Sequence, residues 1–147
     1  MKEFEQKLNR ALTETFDSVM RYEVETLKTT AGVTVAEAHI LEAIGDAADG
    51  TTVSELASRL GLALPTVTVA VKKLETKGYV VKTASADDGR VTMIGLTEAG
   101  KRVYKAHGLF HRRMVRHISA IFTEAEKDAL LSAVDKLRDF FADKTPR

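Results

Sequence analysis

Residues 51–96 read TTVSELASRLGLALPTVTVAVKKLETKGYVVKTASADDGRVTMIGL, and the spacing of apolar and turn residues within them sets the fold. Thr52-Val53-Ser54-Glu55 has the form of a capping box, in which a Thr side chain and a Glu three residues on satisfy each other's free backbone N–H groups. It opens a short helix with Val53, Leu56, Ala57 and Leu60 on one face. Gly61 interrupts that helix, and Pro65, near the first helical position, pre-sets the start of a second one that runs to about Lys77 before Gly78. In this second helix Val67, Ala70, Val71 and Leu74 recur at i, i+3, i+4 and i+7, the spacing of a buried face. Two short helices joined by Gly-Leu-Ala have helix-turn-helix spacing. Two apolar-rich runs follow, Tyr79–Ala84 and Arg90–Leu96, flanking Ser-Ala-Asp-Asp-Gly, and predict a β-hairpin.

Helical periodicity continues on both sides. Phe4, Leu8, Leu12, Phe16, Met20, Val24 and Leu27 form a narrow apolar stripe suited to packing on another helix, ended by Gly32. A second capping box, Thr34 to Glu37, opens a helix carrying Ile40, Leu41 and Ile44. Beyond the hairpin, residues 97–121 give a long helix with Val103, Tyr104, Phe110, Met114, Val115, Ile118 and Ile121. A third box, Thr123 to Glu126, opens a last helix with Leu130, Leu131, Val134, Leu137, Phe140 and Phe141, and Asp143–Arg147 reads as a frayed tail. The expected fold class is therefore mainly α with a small β-hairpin (α+β): a winged helix-turn-helix over 34–96, flanked by helical regions 1–33 and 97–147. Such flanking stripes are too long to bury within a chain this small, so a twofold homodimer in which they interlock is expected.

Composition narrows the function. With 147 residues and 44% apolar content the chain can build about one domain with a real core. The absence of cysteine excludes disulfides, thiol nucleophiles and thiolate metal ligands. No apolar run approaches the ~20 residues that span a bilayer, and MKEFEQKLNR has no signal-peptide core, so a cytoplasmic protein without a membrane partner is expected. No phosphate-cradling Gly-rich loop or nucleophile elbow is present, which argues against an enzyme. Net charge is only +1, but its distribution is uneven. Lys101, Arg102, Lys105, Arg112, Arg113 and Arg116 lie in an acid-free stretch, while residues 23–55 carry seven carboxylates against Lys28.

The outer face of the second helix has the chemistry of a DNA reader. Thr66, Thr68, Val69, Lys72 and Lys73 lie there, with no carboxylate before Glu75. Thr hydroxyls can pair with base edges, and Thr and Val methyls can touch thymine methyls in the major groove. Lys72 and Lys73 suit phosphates, which position a protein without reading sequence. Leu64 before Pro65 is a poor cap and leaves a backbone N–H for a phosphate. Ser54 and Pro65 at the two helix starts complete the expected contacts. At the hairpin turn Arg90 is placed to enter the minor groove, with Asp88 expected to orient its guanidinium.

E-L-A-x-x-L-G (55–61), T-V-x-x-x-V-K-K-L-E-x-K-G-Y-V (66–80), D-D-G-R (87–90) and L-T-E-A-G (96–100) together resemble the MarR family. The resemblance implies a homodimeric transcription regulator, usually a repressor, that binds palindromic double-stranded operator DNA and is often released by a small ligand. By position it places Thr66, Thr68, Val69 and Lys73 on the recognition helix and Arg90 on the wing. Where many members have Ser-Arg after Thr-Val, this chain has Thr68-Val69, so one arginine contact is missing. The wing also lacks the additional basic residue common beside the D-x-R motif.

Four histidines stand outside this motif. His107 and His111, at i and i+4, can serve one metal ion from adjacent turns, with His39 and either Glu23 or Glu25 as further ligands. A-E-A-H-I-L (36–41) with H-x-x-x-H (107–111) is similar to the zinc-responsive branch of the family. The same residues with H-G-L-F-H-R-R-M-V (107–115) also resemble the branch that represses fatty-acid synthesis genes, which answers to acylated acyl carrier protein. That second resemblance implies a ligand pocket at His39, His107, Phe110 and His111 and no required cofactor. Packing within a dimer interface accounts for the same histidines without any ligand.

Overall fold

The computed structural model describes residues 2–30, 32–142 and 144. The expected frayed tail at 143–147 lies outside the described residues except for Lys144. The elements are α1 (Glu3–Thr30), α2 (Val35–Gly45), α3 (Val53–Leu60), α4 (Leu64–Thr76), β1 (Val80–Ala84), β2 (Thr92–Leu96), α5 (Glu98–Ser119) and α6 (Glu124–Ala142). This is the winged helix-turn-helix order read from the sequence. The chain forms two compact units, residues 1–107 and 108–147, so α5 contributes its first half to one and its second half to the other.

In the first unit, α2, α3, α4 and the hairpin close over a core in which Leu41, Ile44, Leu56, Val67, Val71, Leu74 and Ile94 are fully buried. Both expected capping boxes form there: Thr34 with Glu37 and Thr52 with Glu55, each bonded in both directions. Gly61 closes α3 at φ 62°, a left-handed conformation that costs a residue without Cβ little. The helix-turn-helix turn depends on that bend.

The hairpin is antiparallel, with Val80 opposite Leu96 and Ala84 opposite Thr92. Its strands are shorter than the apolar runs: β1 begins at Val80 rather than Tyr79, and β2 at Thr92 rather than Arg90. Tyr79 N–H instead donates to Leu74 O, ending α4, while Arg90 stays in the turn. Thr51 adds a single bridge to Ile94 through N–H to carbonyl bonds of 3.1 and 2.7 Å, so the hairpin is stitched to the start of α3. In α5, Gly100 packs so closely on Tyr79 that a Cβ there would lie 2.1 Å from the Tyr79 carbonyl oxygen.

In the second unit, no residue of α6 is buried. Leu131, Val134, Phe140 and Phe141 are exposed along it, and Val115, Ile118 and Ile121 are exposed nearer the unit's start. In the first unit α1 leaves Phe4, Leu8, Leu12, Phe16 and Val19 exposed in the same way. Apolar stripes of this extent are uncommon on a finished monomer surface.

Candidate nucleic-acid interface

The recognition helix forms as its periodicity requires. Val67, Val71 and Leu74 are each 0% exposed, Ala70 is half-buried, and Thr66, Thr68, Val69, Lys72 and Lys73 all face solvent. Ser54 and Pro65 are exposed as well. The helix begins one residue earlier than the proline suggested, at Leu64, so Ala63 is the N-cap and contributes no side-chain hydrogen bond. Pro65 has no N–H, and the Thr66 N–H donates to Ala63 O at 3.0 Å, so the aliphatic cap leaves the Leu64 N–H for a phosphate or for water.

Two details alter the expected contacts. Thr68 donates its hydroxyl to Leu64 O at 2.8 Å, so its proton is already committed. What it leaves exposed is an acceptor oxygen and a methyl group. At the wing, Asp88 does not pair with the Arg90 guanidinium as expected. Its Oδ1 accepts the Arg90 backbone N–H at 3.0 Å, and its carbonyl accepts the Val91 N–H at 2.9 Å. A short carboxylate that captures the amide two residues on is an Asx turn, the locally cheaper bond. Asp88 therefore shapes the turn, and the Arg90 side chain meets no carboxylate among the described residues.

Two ion pairs that sequence spacing did not reveal fix this surface. Lys82 of β1 pairs with Glu75 of α4 at 2.9 Å, which ties wing to recognition helix and offsets the one carboxylate on its outer face. Lys77, the C-cap of α4, donates to both oxygens of Glu37 in α2, at 2.9 and 2.8 Å. Burial pushes the Glu37 carboxyl up, but bonds from Lys77 and the Thr34 N–H, with the charges of Lys77 and Lys73, hold it below its usual 4.5. Neither partner pair is visible in the sequence, because each spans different elements.

Within the first unit Glu23 gathers two of the histidines. Its Oε1 lies 2.7 Å from His107 Nε2 and 3.2 Å from His39 Nε2, and Glu42 Oε2 stands 3.7 Å from His107 Nδ1. Glu23 and His107 are buried, while His39 is exposed. The structure thus selects Glu23 over Glu25, whose carboxylate pairs with Lys28 at the surface. The ligand atoms of Glu23, His39 and His107 lie within 4.8 Å of one another. Ligands of a tetrahedral Zn²⁺ stand about 3.3 Å apart, and two imidazoles with a carboxylate are a zinc-type donor set, so the residues fit that ion. Phe110 and His111 belong to the second unit, where their rings meet edge to face with centroids 5.2 Å apart.

Beside His39 runs an apolar cleft of about 580 Å³, walled by Met20, Val24, Leu27 and Lys28 of α1 and by Val33 to Ala36 at the start of α2. A cleft of this size and lining can take a small apolar ligand. Among the described residues no helix is long and apolar enough to cross a membrane.

Comparison with known proteins agrees with this geometry. Residues 31–91 match the MarR family model. The crystal structure of Streptococcus pneumoniae FabT in complex with DNA is similar over 95% of this chain and 98% of that one, at 30% identity and a TM-score of 0.89. A MarR/EmrR family transcriptional regulator from Acinetobacter sp. ADP1 is 25% identical, with 97% and 99% coverage and a TM-score of 0.73. The uncharacterized HTH-type transcriptional regulator YhjH of Bacillus subtilis is 25% identical over 107 residues, 73% of this chain and 61% of its own length. The chain thus spans less than two thirds of the curated relatives it matches. With its recognition helix, wing and near full-length likeness to a solved relative, the chain belongs to the MarR family of DNA-binding transcriptional regulators.

Proposed function

We propose that the protein is a cytoplasmic, homodimeric, ligand-responsive repressor. It binds a palindromic operator with α4 in the major groove and the hairpin in the minor groove. The observation that carries this is the outer face of α4, where Thr66, Thr68, Val69, Lys72 and Lys73 are exposed and Glu75 is offset by Lys82. A relative of similar shape was crystallised with DNA, which supports the same use here. The exposed stripes on α1 and α6 support a twofold partner, and a dimer would present two recognition helices to two half-sites one helical turn apart. Mobility shifts on DNA from its own promoter region, over a salt series, test this. Specific binding should fall with a slope of about −0.9 per phosphate contact on a log–log plot. No binding at low salt to any such fragment overturns the reading.

The effector is an aliphatic acyl group, free or carried on an acyl carrier protein. The cleft beside His39 supports this class through its apolar walls. The convergence of His39 and His107 on Glu23 supports a second reading, in which Zn²⁺ is the effector and those three residues hold it. Calorimetry separates the two. Under the zinc reading, Zn²⁺ binds the wild type and His39→Ala/His107→Ala loses at least tenfold in affinity, on the scale set by losing ligands. Equal heats for both proteins remove zinc.

A further inference from the structure

We infer that the Glu37–Lys77 ion pair transmits occupancy of the apolar cleft to the recognition helix. The inference deepens the effector reading and rests on it for the nature of the ligand. Thr34, Val35 and Ala36 wall the cleft, and they are the N-cap and first two residues of α2. Glu37, the next residue, is bound to that same turn: its Oε2 accepts the Thr34 N–H at 3.0 Å, and its own N–H donates to Thr34 Oγ1 at 3.1 Å. Any occupant that shifts the turn therefore carries the Glu37 carboxylate with it.

On its other side that carboxylate is held twice by Lys77, which ends α4. The backbone beyond Lys77 is closely tied. Gly78 N–H donates to Glu75 O and Tyr79 N–H to Leu74 O, both at 2.9 Å, and Thr97 donates its hydroxyl to Gly78 O at 2.7 Å and its N–H to Tyr79 O at 3.0 Å. A pull on Lys77 thus reaches the end of the recognition helix and the strand leaving the wing together. Ala38 and Leu41 of α2 share one apolar core with Val67, Val71 and Leu74 of α4. Apolar packing tolerates small sliding without direction, whereas a charge-assisted contact from one ammonium to both oxygens of a carboxylate limits their separation. Glu37 is 8% exposed and the Lys77 side chain 39%, so the pair sits at the rim of the core with its carboxylate end sheltered.

The two residues act as positioning residues, since neither lies on the DNA face. Glu37→Gln keeps the capping box, because Gln at that position also reaches back to the cap, and removes only the charge that holds Lys77. Lys77→Met keeps the aliphatic stem. Ala36 is exposed and faces the cleft, so Ala36→Trp fills it without a ligand, and Ala36→Phe is a smaller substitute if the tryptophan variant does not fold.

The experiment is a double-mutant cycle on operator affinity, with melting curves confirming folded protein. Ala36→Trp should change operator affinity in the wild-type background and lose at least about fivefold of that change in Glu37→Gln or Lys77→Met, the low end of allosteric couplings. The operator affinities of Glu37→Gln and Lys77→Met alone set the reference from which the effect of Ala36→Trp is read in each background. No change from filling the cleft, or the same change in all backgrounds, overturns the inference. Calorimetry with dodecanoate reports separately on the effector. Binding to wild type and Glu37→Gln alike, with operator response only in the wild type, supports both readings. Absence of dodecanoate binding alongside a coupled cycle overturns the aliphatic effector and leaves the transmission standing.

Discussion

Glu55 illustrates how single side chains hold the DNA-reading unit together. The Thr52 backbone N–H, then the hydroxyls of Thr51 and Thr52, lower its carboxyl below the usual 4.5. A depressed carboxylate contributes stability that is whole above the unfolded value and is lost as pH falls through the folded one. Glu55→Gln should therefore melt below the wild type at neutral pH, with the gap closing as acid passes below 4.5. Thermal unfolding of both proteins across pH 7 to 3 checks this; a constant gap would assign the effect to shape rather than charge. The capping boxes were legible from sequence because each joins residues three apart. Asp88 was legible as a turn residue but not in its partner, since an amide two residues away competes with a guanidinium that the solvent also claims.

At the scale of elements, the proposed binding mode divides the work between α4 and the hairpin. The helix presents small and methyl-bearing groups at its start and lysines later, while the hairpin offers one arginine. Arg90→Ala should lower operator affinity by about 1–3 kcal/mol and leave self-association unchanged, because the side chain is exposed and meets no carboxylate among the described residues. Fluorescence anisotropy with operator DNA and sedimentation in its absence check the two halves of that statement. Lys72→Gln/Lys73→Gln should weaken all DNA sequences alike and flatten the salt slope by about two contacts' worth. A change of sequence preference instead would place these lysines on base edges. The ties that fix the two elements, Lys82 to Glu75 and Thr51 to Ile94, escaped the sequence because their partners are seven and forty-three positions apart (82 − 75 and 94 − 51). No local periodicity encodes such distances.

For the whole molecule, the exposed stripes on α1 and α6 set the expectation of a twofold dimer. Burying apolar area gives about 25 cal/mol per Å², so several large side chains removed together should matter more than any one polar contact. Phe16→Glu and Leu131→Glu place a charge where Phe16 is 66% and Leu131 64% exposed in the single chain. If the proposed dimer uses these faces, each should shift the protein toward monomer in analytical ultracentrifugation and reduce operator affinity, since two linked recognition helices bind more tightly than one. Variants that remain dimeric would move the interface elsewhere.

The sequence by itself determined the element order, the buried face of the recognition helix and the residues on its outer face. Those features follow from periods of 3.6 and 2 and from caps three residues apart, all of them local. Family membership was also legible, because residues 55–100 carry closely spaced motifs. Only the tertiary structure decided which glutamate joins His39 and His107, that a cleft opens between α1 and α2, and that Lys77 closes on Glu37. Those pairs lie 16 to 84 residues apart. Their choice depends on how helices cross after the apolar faces have packed, and that packing carries no mark in the order of residues.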